Sequence, residues 1–244
     1  PASSDQASPD QPYSSQFNDL YTAKALVTGQ GEQNRQPGFR DCLAQVLVRV
    51  SGDQRLLARP EMADLKARAG SFVQSFSYHE QGTHDRPHDL TCHYAPGVID
   101  RLLADLGSRP WRAKRPRLAV FLDVTRYRQA FRVSRDDQRD EAMRQSFALA
   151  AAPLAMQVVF PSAKEAGGSA RGPVPVDPAK AAGADRPLIG TLDWSDADHG
   201  WVATWHLDDG GRQHVWSVRG VNFDEAFRVA VRGAAQVLSG NGTP

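Results

Sequence analysis

The residues best suited to chemistry lie in one polar segment, HEQGTHDRPHDLTCH at 79–93. Four of the chain's seven histidines fall within these 15 residues: His79, His84, His88 and His93. Imidazole groups, with carboxylates among them, are good ligands for zinc, copper or nickel. The segment therefore allows a metal site, and a metal-binding protein or metal-dependent hydrolase is one possible function. Its spacings match no helical ligand pair, so the alternative is a solvated loop that titrates near neutral pH.

Tryptophans form the second candidate. Trp201 and Trp205 share one face of a predicted strand, and Trp216 lies on the strand that follows. Aromatic rings on a sheet stack a ligand, anchor a partner or fill the core beneath a helix. We expect most of this set to belong to the core, and either Trp194 or Trp201, near the hairpin end, to be exposed.

The third candidate is the basic run RPWRAKRPR at 109–117. Such a run can bind nucleic acid. Here it connects a predicted helix to a predicted strand in a chain whose net charge is only +1, which favours a solvated connection over nucleic-acid binding. The other role left to it is contact with an anionic partner. The partner-binding residues predicted from these two candidates are Trp111, Arg112, Arg115, Trp194 and Trp201.

No familiar catalytic motif occurs in the sequence. There is no phosphate loop and no Gly-x-Ser-x-Gly elbow, and the pair Gly29 and Gly31 lacks the third glycine of a dinucleotide site. Asp123 ends an apolar strand, where α/β folds often place functional carboxylates, but it stands alone. We therefore predict no catalytic residues, no enzymatic activity and no cofactor, a metal in the histidine segment being the one exception.

Cys42 and Cys92 are the two cysteines, and neither belongs to a Cys-x-x-Cys pair. They are either buried apolar residues or the two ends of one structural disulfide. A disulfide would close a loop of about 50 residues and contribute roughly 4 kcal/mol in the chain-entropy model. It would also require an oxidising compartment.

Composition bounds the class of protein. With 41% hydrophobic and 23% charged residues, the chain resembles an ordinary globular protein. No apolar run approaches the roughly 18 residues of a membrane span. Because the chain begins at Pro1 rather than at methionine, we interpret it as a processed or a truncated product. No signal segment is visible, which is compatible with a signal peptide already removed, and we expect an exported protein.

Apolar periodicity predicts alternating strands and helices. A strand at 21–27 precedes a helix with an apolar stripe at 39–50, and Pro60 opens a second helix whose stripe runs from Met62 to Phe76. The remaining predicted elements are a strand at 90–94, a helix at 96–106, a strand at 118–124, a helix from Ser134 to Ala152, strands at 156–160, 188–194, 201–207 and 212–218, and a helix at 223–237.

This order predicts an α/β (α+β) fold with a mixed sheet, helices packed on it, an antiparallel meander and a C-terminal helix. Residues 1–16, rich in Pro, Ser, Gln and Asp, are expected to be a flexible leader. We predict one domain over 17–239, with a long mobile loop at 161–186, and a frayed tail at 240–244.

Several stretches resemble a bacterial family known only as domain of unknown function 2066. They are YTAKALVTG at 21–29, FRDCLAQVLVRVSGD at 39–53, DRPHDLTCHY at 85–94, GSRPWRAKRPRLAVFLDV at 107–124, LIGTLDW at 188–194 and WVATWHL at 201–207. The resemblance implies a periplasmic envelope protein. It also implies a fold similar to small α/β domains of the curli secretion lipoprotein and of the Tol protein's amino-terminal region. Those proteins bind other envelope components, so we expect a non-enzymatic binding or assembly module whose partner is an envelope component.

Overall fold

The computed structural model describes residues 20–79, 87–167 and 170–244. The chain forms two compact units, one with residues up to 51 and 55–110, the other with residues 52–54 and 111–244. The predicted leader at 1–16 lies outside the described residues, and the boundaries of the single domain and of the tail stay predictions.

The first unit is built on a three-stranded antiparallel sheet with β3 in the centre. Its strands are β1 (Thr22–Val27), β2 (Ser75–His79) and β3 (His88–His93). Its helices are α1 (Glu32–Ser51), α2 (Glu61–Ala67) and α3 (Pro96–Asp105), with short 3₁₀ helices at Gln54–Ala58 and Ala69–Phe72. The apolar stripe of α1 is buried as its spacing predicts, from Phe39 through Leu43 to Val50.

One covalent bond joins helix and sheet within this unit. Cys42 on α1 and Cys92 on β3 form a disulfide, with 6.3 Å between their Cα atoms. Both residues are fully buried. Of the two alternatives left open by the sequence, the disulfide is the one found.

The second unit contains a six-stranded mixed sheet in the order β5-β4-β7-β8-β9, with β6 also paired to β4. Strand β4 runs parallel to β6 and β7, whereas β5 and the β7-β8-β9 meander are antiparallel. The strands are β4 (Arg117–Arg126), β5 (Gln129–Arg132), β6 (Gln157–Val159), β7 (Arg186–Ser195), β8 (Gly200–Asp209) and β9 (Arg212–Val221). The helices are α4 (Glu141–Ala151), α5 (Pro178–Ala181) and α6 (Phe223–Leu238), with 3₁₀ turns at Gln138–Asp140 and Ala152–Leu154.

Aromatic rings fill the core between this sheet and its helices. The ring of Phe147 on α4 lies 4.7 Å from Phe227 on α6 and 5.7 Å from Trp205 on β8, measured between centroids. All three side chains are fully buried. The predicted mixed α/β fold, its antiparallel meander and its C-terminal helix are therefore confirmed.

Two predicted helices have different bounds. The helix opened by Pro60 ends at Ala67, and Phe76, assigned to its stripe, lies on the edge strand β2 instead. The helix predicted from Ser134 begins at Glu141, because the Asp137 carboxylate caps a preceding 3₁₀ turn by accepting a hydrogen bond from the Arg139 N–H.

The segment predicted as a loop at 161–186 contains helix α5 and several anchoring contacts. The Arg132 guanidinium donates to the carbonyls of Ala166 and Gly172, at 2.7 and 2.8 Å. Arg135 forms a bidentate pair with Glu165, and the hydrogen bond from that guanidinium lowers the pKa of the glutamate. The mobility predicted for this segment stays a prediction.

Candidate functional site

The histidine segment does not converge on one point in the residues that are described. His88 and His93 lie five residues apart on strand β3, about 17 Å along it, and point to opposite faces. His79 is opposite Asp89, whereas His93 is opposite Thr22 and Ser75 at the other end of the sheet.

Metal binding by this segment stays a prediction, since His84 lies outside the described residues. Within 20–79, 87–167 and 170–244, no three His, Cys, Asp or Glu side chains are placed to hold one ion. His88 instead packs its ring against Tyr78, 6.4 Å away, and its Nδ1 is buried.

The basic run contributes to its own unit's structure. Trp111 is buried, and the Arg115 guanidinium lies 4.2 Å above its ring while donating to the Leu154 carbonyl. Arg117 donates to the Gly183 carbonyl, and Arg112 is exposed. The partner-binding role of this run stays a prediction, and of the two residues predicted at its centre Arg112 is accessible whereas Trp111 is not.

Most of the tryptophan set belongs to the core. Trp201, Trp205 and Trp216 are buried, and Trp216 donates its indole N–H to the Val229 carbonyl of α6. Trp194 is only half-buried. It is therefore the predicted partner-binding tryptophan whose ring is accessible.

Trp194 belongs to a cluster at the end of the larger sheet, which we call the arginine–tryptophan cluster: Arg126, Tyr127, Trp194 and Trp201. The Arg126 guanidinium carbon lies 4.8 Å from the centroid of Trp194, 5.7 Å from that of Tyr127 and 6.0 Å from that of Trp201. The two indoles meet edge to face at 5.4 Å. A guanidinium held over aromatic rings in this way is a cation–π arrangement.

Two hairpin turns position the cluster. Arg126 pairs with Gln129, so Tyr127 occupies a two-residue turn between β4 and β5, at a φ of +54°. Such turns need positive φ to match the twist of the strands. Trp194 and Trp201 face each other across β7 and β8, and the Trp194 indole N–H donates to Asp196 in the turn between them.

A polar group lies beside the cluster on the opposite face of the same strands. Arg171, from the segment between β6 and β7, donates to Thr125 at 3.1 Å and to Asp193 at 3.4 Å. Its own φ is +64°, and His199, in the next turn, has a φ of +52°. Of the four non-glycine residues with positive φ in the described part of the chain, Tyr127, Arg171 and His199 lie at this end of the sheet, and backbone strain is often concentrated at functional sites.

Asp123 has a structural role here. Both of its oxygens accept from the Arg132 guanidinium, at 2.7 and 3.0 Å, and one also accepts from the Arg171 N–H. Asp198, in the β7–β8 turn, accepts from Ser195 and Arg219, and these hydrogen bonds lower its pKa. The carboxylates at this end are thus hydrogen-bond acceptors held in place by their neighbours.

Comparison with known proteins bears mainly on the first unit. A family model described as a domain of unknown function (DUF8605) matches residues 14–112. The match ends within two residues of Pro110, where the first compact unit ends. No curated protein and no solved structure shows significant similarity to the chain.

The resemblance to domain of unknown function 2066 is therefore wrong, because the matching family is a different one. The stretches quoted for it are mostly buried strand and helix, in which apolar periodicity is shared by unrelated folds. The likeness to the curli and Tol domains has no support from a solved structure. None of the helices in the described part of the chain is long and apolar enough to span a membrane.

The arginine–tryptophan cluster was not predicted as a whole. Trp194 and Trp201 were named from the sequence, but Arg126 and Tyr127 were not. The turn at Tyr127 and Arg128 contains no Gly, Asn or Asp, so the sequence held no signal for a two-residue turn there. Chemically the cluster offers N–H donors on a rigid aromatic surface, a combination common at the energetic centres of interfaces.

Proposed function

We propose that this protein is a non-enzymatic binding module of the bacterial cell envelope, exported to the periplasm, and that it binds another envelope component through the arginine–tryptophan cluster. The observation that carries the proposal is the position of Arg126. Its guanidinium lies against Trp194 and next to the 69%-exposed Tyr127. Trp, Tyr and Arg are the residues most enriched among interface hot spots.

The charge of Arg126 defines the chemistry of the partner. Arg126 is exposed, and in the described part of the chain no carboxylate forms an ion pair with it. Its neighbours Arg171 and Arg219 are each paired with an aspartate. The partner surface therefore carries a carboxylate that meets the guanidinium, beside an apolar side chain that packs on the exposed ring of Tyr127.

The disulfide supports the proposed location of the protein in the periplasm. A buried disulfide between α1 and β3 forms and persists where the environment is oxidising, as in the periplasm, and is rare in a reducing cytosol.

The hydrogen bonds of Asp123 support a role without catalysis. The carboxylate at the end of the central strand accepts three hydrogen bonds from arginine N–H groups, which hold it in a structural role.

A photo-crosslinking experiment in the source organism tests the proposal. A photoreactive side chain replaces Tyr127 in one variant and Leu149, which is 74% exposed on α4, in the control. We expect a discrete adduct with an envelope component from position 127 only, and its loss when Arg126→Ala is added. Identical adducts from both positions, or an adduct insensitive to Arg126→Ala, would contradict the proposal.

A further inference from the structure

A short proline-rich stretch, PVPVD at 173–177, leads into helix α5 of the second unit, and we call it the proline segment. It forms neither helix nor strand, and the chain bends at Val176 and Asp177 before α5 begins at Pro178. The prolines at 173, 175 and 178 fix their own φ and disfavour a helical conformation in the residue before each of them. This pattern favours polyproline II, an extended helix without internal hydrogen bonds.

Contacts hold the chain on both sides of the proline segment. On one side, the buried Arg132 guanidinium donates to the Gly172 carbonyl at 2.8 Å. On the other side, the Asp177 carboxylate accepts from the Lys180 N–H at 3.1 Å and thereby caps α5. Because its two ends are tied down in this way, the segment has less conformational entropy to lose when it binds a partner.

The apolar side chains of the proline segment differ in exposure. Val176 is 108% exposed, more than any other large apolar side chain in the described part of the chain. Pro173, three residues earlier, is also exposed, whereas Val174 and Pro175 are half-buried. Three residues is the repeat of polyproline II, so the spacing of the exposed pair is typical of one face of such a helix turned to solvent.

The backbone of the proline segment is open to a partner as well. Among the described residues, nothing forms a hydrogen bond with the N–H of Val174, the N–H of Val176 or the Val174 carbonyl. Grooves that recognise polyproline II are lined with aromatic rings, which pack on prolines and other apolar side chains. Trp and Tyr in such a groove can also donate to a carbonyl that lacks a partner. The exposed side chains and the open backbone fit this mode of recognition.

We propose that the proline segment is a recognition element that docks into an aromatic-lined groove of a partner protein. Charge adds one feature of that groove. Lys180 follows the segment, is exposed and forms no ion pair within the described part of the chain. A carboxylate at the rim of the groove would complement it. The proline segment is a different surface from the arginine–tryptophan cluster, so either proposal can fail alone.

A titration of the purified full chain into isotope-labelled probe domains, followed by NMR, tests the proposal. The probes are a WW domain and a Src-homology-3 domain, whose grooves are lined with aromatic residues. Val176→Asp is the variant, and Leu149→Asp, at a 74%-exposed position on α4, is the matched control. We expect the groove signals of at least one probe to shift. The dissociation constant should be about tenfold higher or more for V176D, because a charge replaces a buried apolar side chain, and unchanged for L149D.

The reverse labelling locates the contact on this protein. With the protein labelled and the probe unlabelled, the amide signals of Val174 and Val176 should shift, whereas that of Tyr127 should not. The urea midpoint of V176D should equal that of the natural protein, since the side chain is fully exposed. Absence of binding by both probes at millimolar concentration would overturn the proposal. So would an undiminished affinity of V176D, or signal changes confined to the arginine–tryptophan cluster.

Discussion

The indole ring of Trp205 covers the α-carbon of Gly190 on the neighbouring strand. The two residues are direct partners in the β7–β8 register. A β-carbon added at Gly190 would lie 2.2 Å from Cζ3 of the ring, well inside any van der Waals contact. The ring is buried against Phe147 and Phe227 and cannot move away. Gly190 is therefore needed for the central packing of the second unit.

Replacing Gly190 with alanine should destabilise the protein by about 3 kcal/mol, because the added methyl group overpacks a rigid core. Gly97→Ala is the control, since no atom lies within 4 Å of the added carbon and the site is helical. It should be neutral or stabilise by up to about 1 kcal/mol. Urea unfolding measures both, and equal stabilities for the two variants would contradict the packing described.

Tyr94 and Tyr21 form a matched pair of buried tyrosines in the first unit. The Tyr21 hydroxyl donates to Asp100 at 2.7 Å, whereas that of Tyr94 is buried and has no hydrogen-bond partner among the described residues. Tyr94→Phe should therefore be neutral or stabilising by up to about 1 kcal/mol, and Tyr21→Phe should cost about 1–2 kcal/mol. Thermal unfolding of the two variants should move in opposite directions, and a loss in Tyr94→Phe would indicate a partner for its hydroxyl.

The same hydroxyl predicts a dependence on alkaline pH. Burial raises the pKa of Tyr94 well above its ordinary value. The unfolded chain loses this proton above pH about 10, while the folded protein keeps it. The contribution of this hydroxyl to the free energy of unfolding is therefore fully present below pH about 10. The free energy of unfolding falls as the pH rises further. Tyr94→Phe should reduce that fall, and identical pH profiles for the natural protein and the variant would contradict the assignment.

Arg132→Met should destabilise the protein by about 3–5 kcal/mol, because it leaves the Asp123 carboxylate buried without its counter-ion. The side chains of Arg132 and Asp123 are only 4% and 15% exposed. Arg68→Met is the control, since the Arg68–Asp64 pair is 56% and 73% exposed. It should cost under about 0.5 kcal/mol. Chemical denaturation measures the free energy of unfolding of both variants, and equal losses would contradict the role given to the buried pair.

Removing the disulfide should lower the free energy of unfolding by about 4 kcal/mol, because the intact bond closes a long loop and so restricts the unfolded chain. The Cys42→Ala/Cys92→Ala variant should lose this amount and become insensitive to reductant. Intact mass supplies the direct check: alkylation should add two groups only after reduction. Alkylation of the native protein without reductant would show that the thiols are free.

The meander and the C-terminal helix were predictable because their patterns are long. Strands β7 and β8 each have ten residues with clear alternation, and the Gly210–Gly211 turn separates β8 from β9. The edge strand β2 was not found. Its Phe76 and Tyr78 alternate with serines over only five residues, and Phe76 also fits a helical stripe that begins at Met62.

The candidate site was only half predictable. Periodicity placed Trp194 and Trp201 on facing strands, but β5 has four residues, too few for a pattern, so the turn carrying Tyr127 was not recognised. Its contact with Trp194 through Arg126 depends on β4 and β7 being neighbours, although about 60 residues separate them in the sequence. That parallel adjacency is a tertiary fact that local spacing does not contain.

The bond between Cys42 and Cys92 has a consequence for cleavage of the chain. A protease that cuts once anywhere from residue 43 to residue 91 cannot release a fragment, because both pieces remain joined through the two sulfur atoms. Half of the first unit's sequence is therefore protected from dissociation after a nick, though not from the nick itself. Such a cleavage would not be detected on a non-reducing gel, and two fragments would appear only after the disulfide is reduced.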